Sequence, residues 1–163
     1  MKNVLYAIIV LVCIFISDAC QKAVSYPAVP KIDFKSCQIS DARDTLGNPI
    51  KDVEILLGFV DGDGDLFSSD TAFKSLILTF YNKVNGVFIQ IPDSVLYSSP
   101  KVYLGYSSVM DRNGQNKTQK GTIKYDYSFY YPMPYDTVEL ELYLKDLAGN
   151  KSNTIKTPEI PLK

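Results

Sequence analysis

The chain has 163 residues, with 17 Lys and Arg against 18 Asp and Glu and a formal net charge of -1, so it carries no basic footprint for nucleic acid or anionic lipid. It contains no His; the commonest general base and metal ligand is therefore missing, which argues against zinc, non-haem iron and Ser-His-Asp chemistry. Hydrophobic residues make up 46% of the chain, enough for one packed domain rather than a disordered segment.

Met1-Lys2-Asn3 leads into an apolar run from Val4 to Ile16, then Ser17-Asp18-Ala19-Cys20. A basic start, an apolar core shorter than the ~20 residues of a bilayer span and a small residue before a cleavage point predict a signal peptide over residues 1–19. Cys20, directly after Ala19, is then the lipidated first residue of the mature chain, and the protein is held at the membrane by acyl chains. The plainer alternative is a secretory signal cut near Ala19 that leaves no anchor. Residues 20–30 contain Pro27 and Pro30 and read as an extended tether. The domain follows, over residues 31–163.

From there the hydrophobic period is two almost everywhere. The segment from Ile32 to Ile39 opens the series. Val53, Ile55, Leu57 and Phe59 share one face, as do Leu76, Leu78 and Phe80. Val87, Ile89 and Ile91 follow the turn Asn85-Gly86, and Val102, Leu104 and Tyr106 come next. Tyr125, Tyr127, Phe129 and Tyr131 alternate with Lys124, Asp126 and Ser128. Val138, Leu140, Leu142 and Leu144 alternate with Glu139, Glu141 and Lys145, and Ile155 sits in a last strand that ends at Pro158 and Pro161. Such alternation gives each strand one buried and one wet face, the pattern of antiparallel sheets packed face to face. The predicted fold is all-β, an immunoglobulin-like antiparallel β-sandwich of about eight strands; a small β-barrel is the alternative.

Asp61-Gly62-Asp63-Gly64-Asp65 follows the second strand, and Asp70 adds a fourth acid nearby. Two glycines let the backbone curl, so carboxylates at alternate positions can point at one centre. That suits Ca2+, which takes ~6–8 oxygen ligands, better than the stricter octahedron of Mg2+. The loop is not an EF-hand: counted from Asp61, Leu66 and Ala72 stand where that motif needs Gly and Glu. Asp and Gly also simply favour tight solvated turns. A second polar loop, Asp146-Leu147-Ala148-Gly149-Asn150, joins the last two strands as a hairpin, with Gly149 and Asn150 suited to the turn. In an immunoglobulin-like sandwich the two loops lie at the same end. The predicted Ca2+ ligands are Asp61, Asp63, Asp65, Asp146 and Asn150.

The third polar loop, Asp111 to Lys117, contains Arg112 and Lys117 and reads as a hairpin turn at Asn113-Gly114. Of the three Cys, Cys13 lies in the signal and Cys20 is acylated. Cys37 is left without a partner, so the domain has no internal disulfide, and it reads as a small buried strand residue.

The signal ending at Cys20, the Pro-containing tether, the run Phe59-Val60-Asp61-Gly62-Asp63-Gly64-Asp65-Leu66 and the ending Asp146-Leu147-Ala148-Gly149-Asn150-Lys151-Ser152-Asn153-Thr154 resemble small Bacteroidota-type lipoproteins with one Ig-like domain. The resemblance implies a location at the cell envelope, on the outer membrane, and a β-sandwich; it implies no reaction. The chain departs from that pattern at Leu147, where Arg is common, and at Asp18. Gln21-Lys22-Ala23 lacks the acidic residues that serve some of these proteins as a surface-export signal, which leaves the membrane face open.

The leading functional expectation is a membrane-anchored, non-enzymatic binding or structural module, stabilised by Ca2+ and docking a protein or glycan partner. A glycan-binding module using Tyr97, Tyr103, Tyr130, Tyr131 and Tyr135 is the alternative, against a plainer reading in which Tyr rings fill the core with wet tips. A glycoside hydrolase using Asp61 and Asp146 as its carboxylate pair ranks last, since two acids on loops are poorer candidates than acids in a deep cleft.

Overall fold

A computed structural model describes residues 25–96, 99–105 and 117–163. The signal peptide, Cys20, Tyr97, Tyr106 and the Asn113-Gly114 turn lie outside the described residues. Nine strands are described: β1 (Lys31–Arg43), β2 (Pro49–Asp61), β3 (Leu76–Val84), β4 (Val87–Gln90), β5 (Lys101–Val102), β6 (Gln119–Tyr130), β7 (Thr137–Leu144), β8 (Ile155–Lys156) and β9 (Ile160–Pro161). They form two antiparallel sheets, β1-β2-β6 and β4-β3-β7-β8, with β5 on β3 and β9 on β7. The sheets stack as a sandwich and do not close into a barrel. Relative to a constant-type immunoglobulin sandwich, the fourth strand pairs with the third instead of joining the first sheet.

Alternation places the core as predicted. Val53, Ile55 and Leu57 of β2 and Leu76, Leu78 and Phe80 of β3 are at most 3% exposed, as are Val138, Leu140, Leu142 and Leu144 of β7. From β6, Ile123, Tyr125, Tyr127 and Phe129 point to the same interior. Phe80 stacks on Tyr127 at 4.7 Å between ring centroids, and Phe129 lies 4.8 Å from Tyr127. Burial removes the Tyr125 phenol from solvent and pushes its pKa up. The wet faces carry cross-strand ion pairs such as Lys124–Glu54 and Lys156–Glu139, which contribute little each when exposed.

Several details differ from the alternation read in the sequence. A register shift between Phe34 and Ser36 changes parity within β1, so Ile32 and Phe34 face inward before it and Cys37 and Ile39 after it. Because β1 is the outer strand of the small sheet, Cys37 is half-buried rather than buried, and its desolvation raises the thiol pKa. The β3–β4 turn at Asn85-Gly86 has positive φ at both residues, +50° and +81°, as a two-residue hairpin requires. Val87 and Ile89 nevertheless stay exposed at 63% and 53%. They pair with Val84 and Asn82, at the end of β3 beyond the well-covered stretch from Leu76 to Phe80. Tyr131 ends the β6 alternation in solvent, 43% exposed.

The last strand is broken. β8 and β9 have two residues each, separated around Pro158. Buried side chains fill the gaps in the ladder: Ser152 Oγ accepts the Leu144 N–H at 2.8 Å and Thr157 Oγ1 accepts the Leu140 N–H at 3.0 Å. Asn153 ties the two sheets together, accepting the Ile32 N–H and donating to the Ile32 carbonyl.

Candidate metal centre

The centre is built where β2 ends. Asp61 is the last residue of β2 and faces inward, in phase with Val53, Ile55 and Leu57; it is 0% exposed. The chain then turns back on itself. Asp61 Oδ2 accepts the N–H groups of Asp65 and Leu66, both at 3.0 Å, and Leu66 plugs into the core. The second acidic loop arrives from β7 beside it, as expected for one end of an immunoglobulin-like sandwich. The Asp65 carbonyl accepts the Leu147 N–H at 3.2 Å, and Asp65 Oδ2 accepts the Ala148 N–H at 2.9 Å.

One carboxylate oxygen from each of Asp61, Asp63, Asp65 and Asp146 lies within 4.8 Å of the other three. Asp61 and Asp146 are fully buried. The Oδ1 atoms of Asp61, Asp63 and Asp65 are buried and accept no hydrogen bond among the described residues. Among those residues no Lys or Arg forms an ion pair with any of the four. Burial, then the neighbouring charges of Asp63 and Asp65, push the Asp61 carboxyl up to about 7. Asp65 is also raised, chiefly by burial, with the Ala148 N–H opposing the shift. Like charges brought together out of water shift this way, unless a cation neutralises them. Asp70 stands apart: it is exposed and its Oδ1 caps the Ala72 N–H.

Asn150 joins the centre through Asp146. Its backbone N–H donates to Asp146 Oδ1 at 2.7 Å and its Nδ2 to Oδ2 at 2.8 Å. The turn differs from the expected Gly149-Asn150 pair. Gly149 alone has positive φ, and it closes a three-residue loop with its N–H on the Asp146 carbonyl. The same hairpin occurs at Asp44-Thr45-Leu46-Gly47-Asn48, where Asn48 binds both Asp44 oxygens in the same way. Asp44 is half-buried, with no further carboxylate beside it in the hairpin, and its bond from Asn48 lowers its pKa. The bonds from Asn150 are therefore the ordinary closure of a D-x-x-G-N hairpin. Burial beside three further carboxylates is what sets Asp146 apart. Each Asp146 oxygen keeps a second lone pair for a cation.

Both glycines of the acidic loop stand at close chain approaches, beyond the curling expected of them. A Cβ on Gly62 would collide with the carbonyls of Tyr26 and Pro27, and the Gly62 N–H donates to the Pro27 carbonyl at 3.0 Å. Gly64 has φ +73° and lies against the Lys117 carbonyl. Tyr26 and Pro27, within the segment read as a tether, are thus docked on the acidic loop, and Pro30 is buried. Gly62→Ala is expected to cost about 1–3 kcal/mol by overpacking and to release residues 25–30. Urea unfolding checks the first effect and proteolytic cleavage ahead of Pro30 the second.

Sequence reading did not single out Gln119. It is the first residue of β6, directly opposite Asp61 in the ladder, and 8% exposed. Its signal in sequence is faint, because hydrophobic alternation in β6 begins only at Ile123.

Of the tyrosines proposed for sugar stacking, the four among the described residues, Tyr103, Tyr130, Tyr131 and Tyr135, do not form one platform. Tyr103 donates its hydroxyl to the Ser68 carbonyl at 2.6 Å, near the metal end, and Lys74 lies over its ring. Tyr130 is 11 residues along β6 from Gln119, about 36 Å away at ~3.3 Å per residue. Tyr130 and Tyr135 line a small apolar cavity with Leu96 and Met133, and Tyr131 borders a separate cleft with Asp41 and Arg43. Compared with known proteins, the chain matches no family model, no curated protein and no solved structure.

Proposed function

We propose that this chain is an exported, lipid-anchored, non-enzymatic binding or structural module of the cell envelope, whose two-loop end is stabilised by Ca2+. The observation that carries the metal reading is the convergence of four carboxylates within 4.8 Å, three of them with a buried, unpartnered oxygen. Oxygen-only ligands and several converging carboxylates favour Ca2+ over the stricter octahedron of Mg2+. The burial of Asp61 and Asp146 counts against their use as a hydrolytic pair, since a sugar must reach both carboxylates. The anchor rests on Cys20 and the signal before it. A rigid loop pair at one end of a tethered sandwich is a surface on which a protein or glycan partner docks.

The test is thermal unfolding of the full chain in excess EGTA and in millimolar Ca2+. A ligand at ~100 times its Kd that binds only the folded state adds ~2.7 kcal/mol, a rise of several degrees in Tm. Asp63→Asn is expected to remove most of the rise. An unchanged Tm on adding Ca2+ would reduce the loops to turns. Mass spectrometry of the mature N-terminus checks the anchor: an unmodified Cys20 would overturn it.

A further inference from the structure

We propose that Gln119 is a fifth protein ligand of the Asp61, Asp63, Asp65 and Asp146 centre, supplying a neutral carbonyl oxygen to the Ca2+ ion from β6. This inference rests on the calcium reading above. Gln119 and Asp61 are directly paired across the β2–β6 ladder, and side chains at such a pair leave the sheet on the same face with Cβ atoms ~4.5–5.5 Å apart. The Gln119 Cγ also lies 3.5 Å from where a Cβ on Gly64 would stand, in the middle of the acidic loop. Its side chain therefore runs between Asp61 and the Asp63–Asp65 turn.

Gln119 is more than nine-tenths buried, and its Oε1 accepts no hydrogen bond among the described residues. Three of the four carboxylates are in the same condition through their Oδ1 atoms. A buried amide oxygen without a donor carries a desolvation penalty. Four such oxygens belong to side chains brought together at this end of the sandwich, and one cation reached by all of them relieves the penalty of each. The choice of amide over acid also fits. Four carboxylates already exceed the charge of one Ca2+, so a further acid would add repulsion, whereas an amide carbonyl adds a ligand without charge. Five protein oxygens leave about one to three positions for water or backbone carbonyls. The result is a site assembled from three segments, the β2 loop, the β7–β8 hairpin and the start of β6.

The test is calorimetric titration of the full chain with Ca2+, paired with thermal unfolding in EGTA. Gln119→Met keeps the length of the side chain and removes the oxygen. It is expected to weaken Ca2+ binding about tenfold or more, while leaving the Tm in EGTA unchanged or higher because an unpartnered polar group is gone. Gln119→Glu restores an oxygen; it is expected to bind Ca2+ within several-fold of the natural chain and to be less stable in EGTA. A natural chain that binds no Ca2+ overturns the calcium reading and this inference with it. A natural chain that binds Ca2+, with Gln119→Met binding equally well, overturns the inference alone. Should Gln119→Met not fold, loss of binding in a folded Gln119→Glu overturns it.

Discussion

In excess EGTA the domain is expected to lose stability as the pH rises from about 4 to about 7, and Ca2+ is expected to abolish that loss. The sign follows from Asp61. Its ordinary carboxyl value of 3.8 applies to the unfolded chain, and burial beside Asp63 and Asp65 raises it to about 7 in the folded one. Between those values the folded state keeps a proton that the unfolded state has released. Stability then falls with pH; it is fully present below the unfolded value and lost through the folded one. Asp65 shifts in the same direction. Among the described residues, the groups facing Asp61 are Asp63 and Asp65 from its own loop, Asp146 from the β7–β8 hairpin and neutral Gln119 from β6. None of these supplies a positive charge that would reverse the sign.

Calcium changes the balance because its ligands must be ionised. A bound ion displaces the proton, so the Kd should weaken by about tenfold per pH unit below about 7 for each proton released. Tm measured across pH 4–8 in EGTA and in Ca2+ shows the two slopes. Titration calorimetry in buffers of different ionisation enthalpy counts the protons. Asp61→Asn should flatten the EGTA slope. A Tm in EGTA that climbs through this range, or a slope unaltered in Asp61→Asn, would mean that Asp61 does not hold the proton.

The sheets are legible in the sequence because burial on one face imposes a period of two. Val138 to Leu144 reads directly as β7, and all four inward residues are at most 1% exposed. The parity change in β1 is not legible, because a bulge at Lys35 needs only one extra residue and leaves no particular residue type behind. Val87 and Ile89 look like core for a related reason: alternation reports which face a residue occupies, and not whether the opposing sheet extends far enough to cover it. At the centre, the DGDGD run announces three of its four acids, and sandwich topology supplies Asp146. Gln119 escapes because its position comes from register, and register is a property of two strands. The D-x-x-G-N pattern occurs at both residues 44–48 and 146–150, so the hairpin is readable in each. Only packing tells the half-buried Asp44 from the fully buried Asp146.

Phe80→Ala is expected to cost about 3–5 kcal/mol, the range for deleting a fully buried aromatic ring. Phe80 is 1% exposed and joins the two sheets through Tyr127 and Phe129, with ring centroids at 4.7 Å and 6.3 Å. Its removal leaves a cavity that rigid strands on both sides cannot fill. At ~2–4 °C per kcal/mol for a chain of this size, Tm should fall by on the order of 10 °C. The Ca2+-induced rise, however, should be the same in the variant as in the natural chain. The metal end meets β3 at Ser75, whose carbonyl accepts the Lys145 N–H beside Asp146. Phe80 lies five residues further on, about 16 Å away at ~3.3 Å per residue, and effects separated by more than ~10 Å add independently. Urea unfolding of both chains, with and without Ca2+, measures the four terms. Equal increments would place the action of the ion at the loops alone. The two-loop end could then be loosened or stiffened while the core stays constant. Increments differing by more than ~0.5 kcal/mol would instead mean that ion binding tightens the packing of the two sheets along their length.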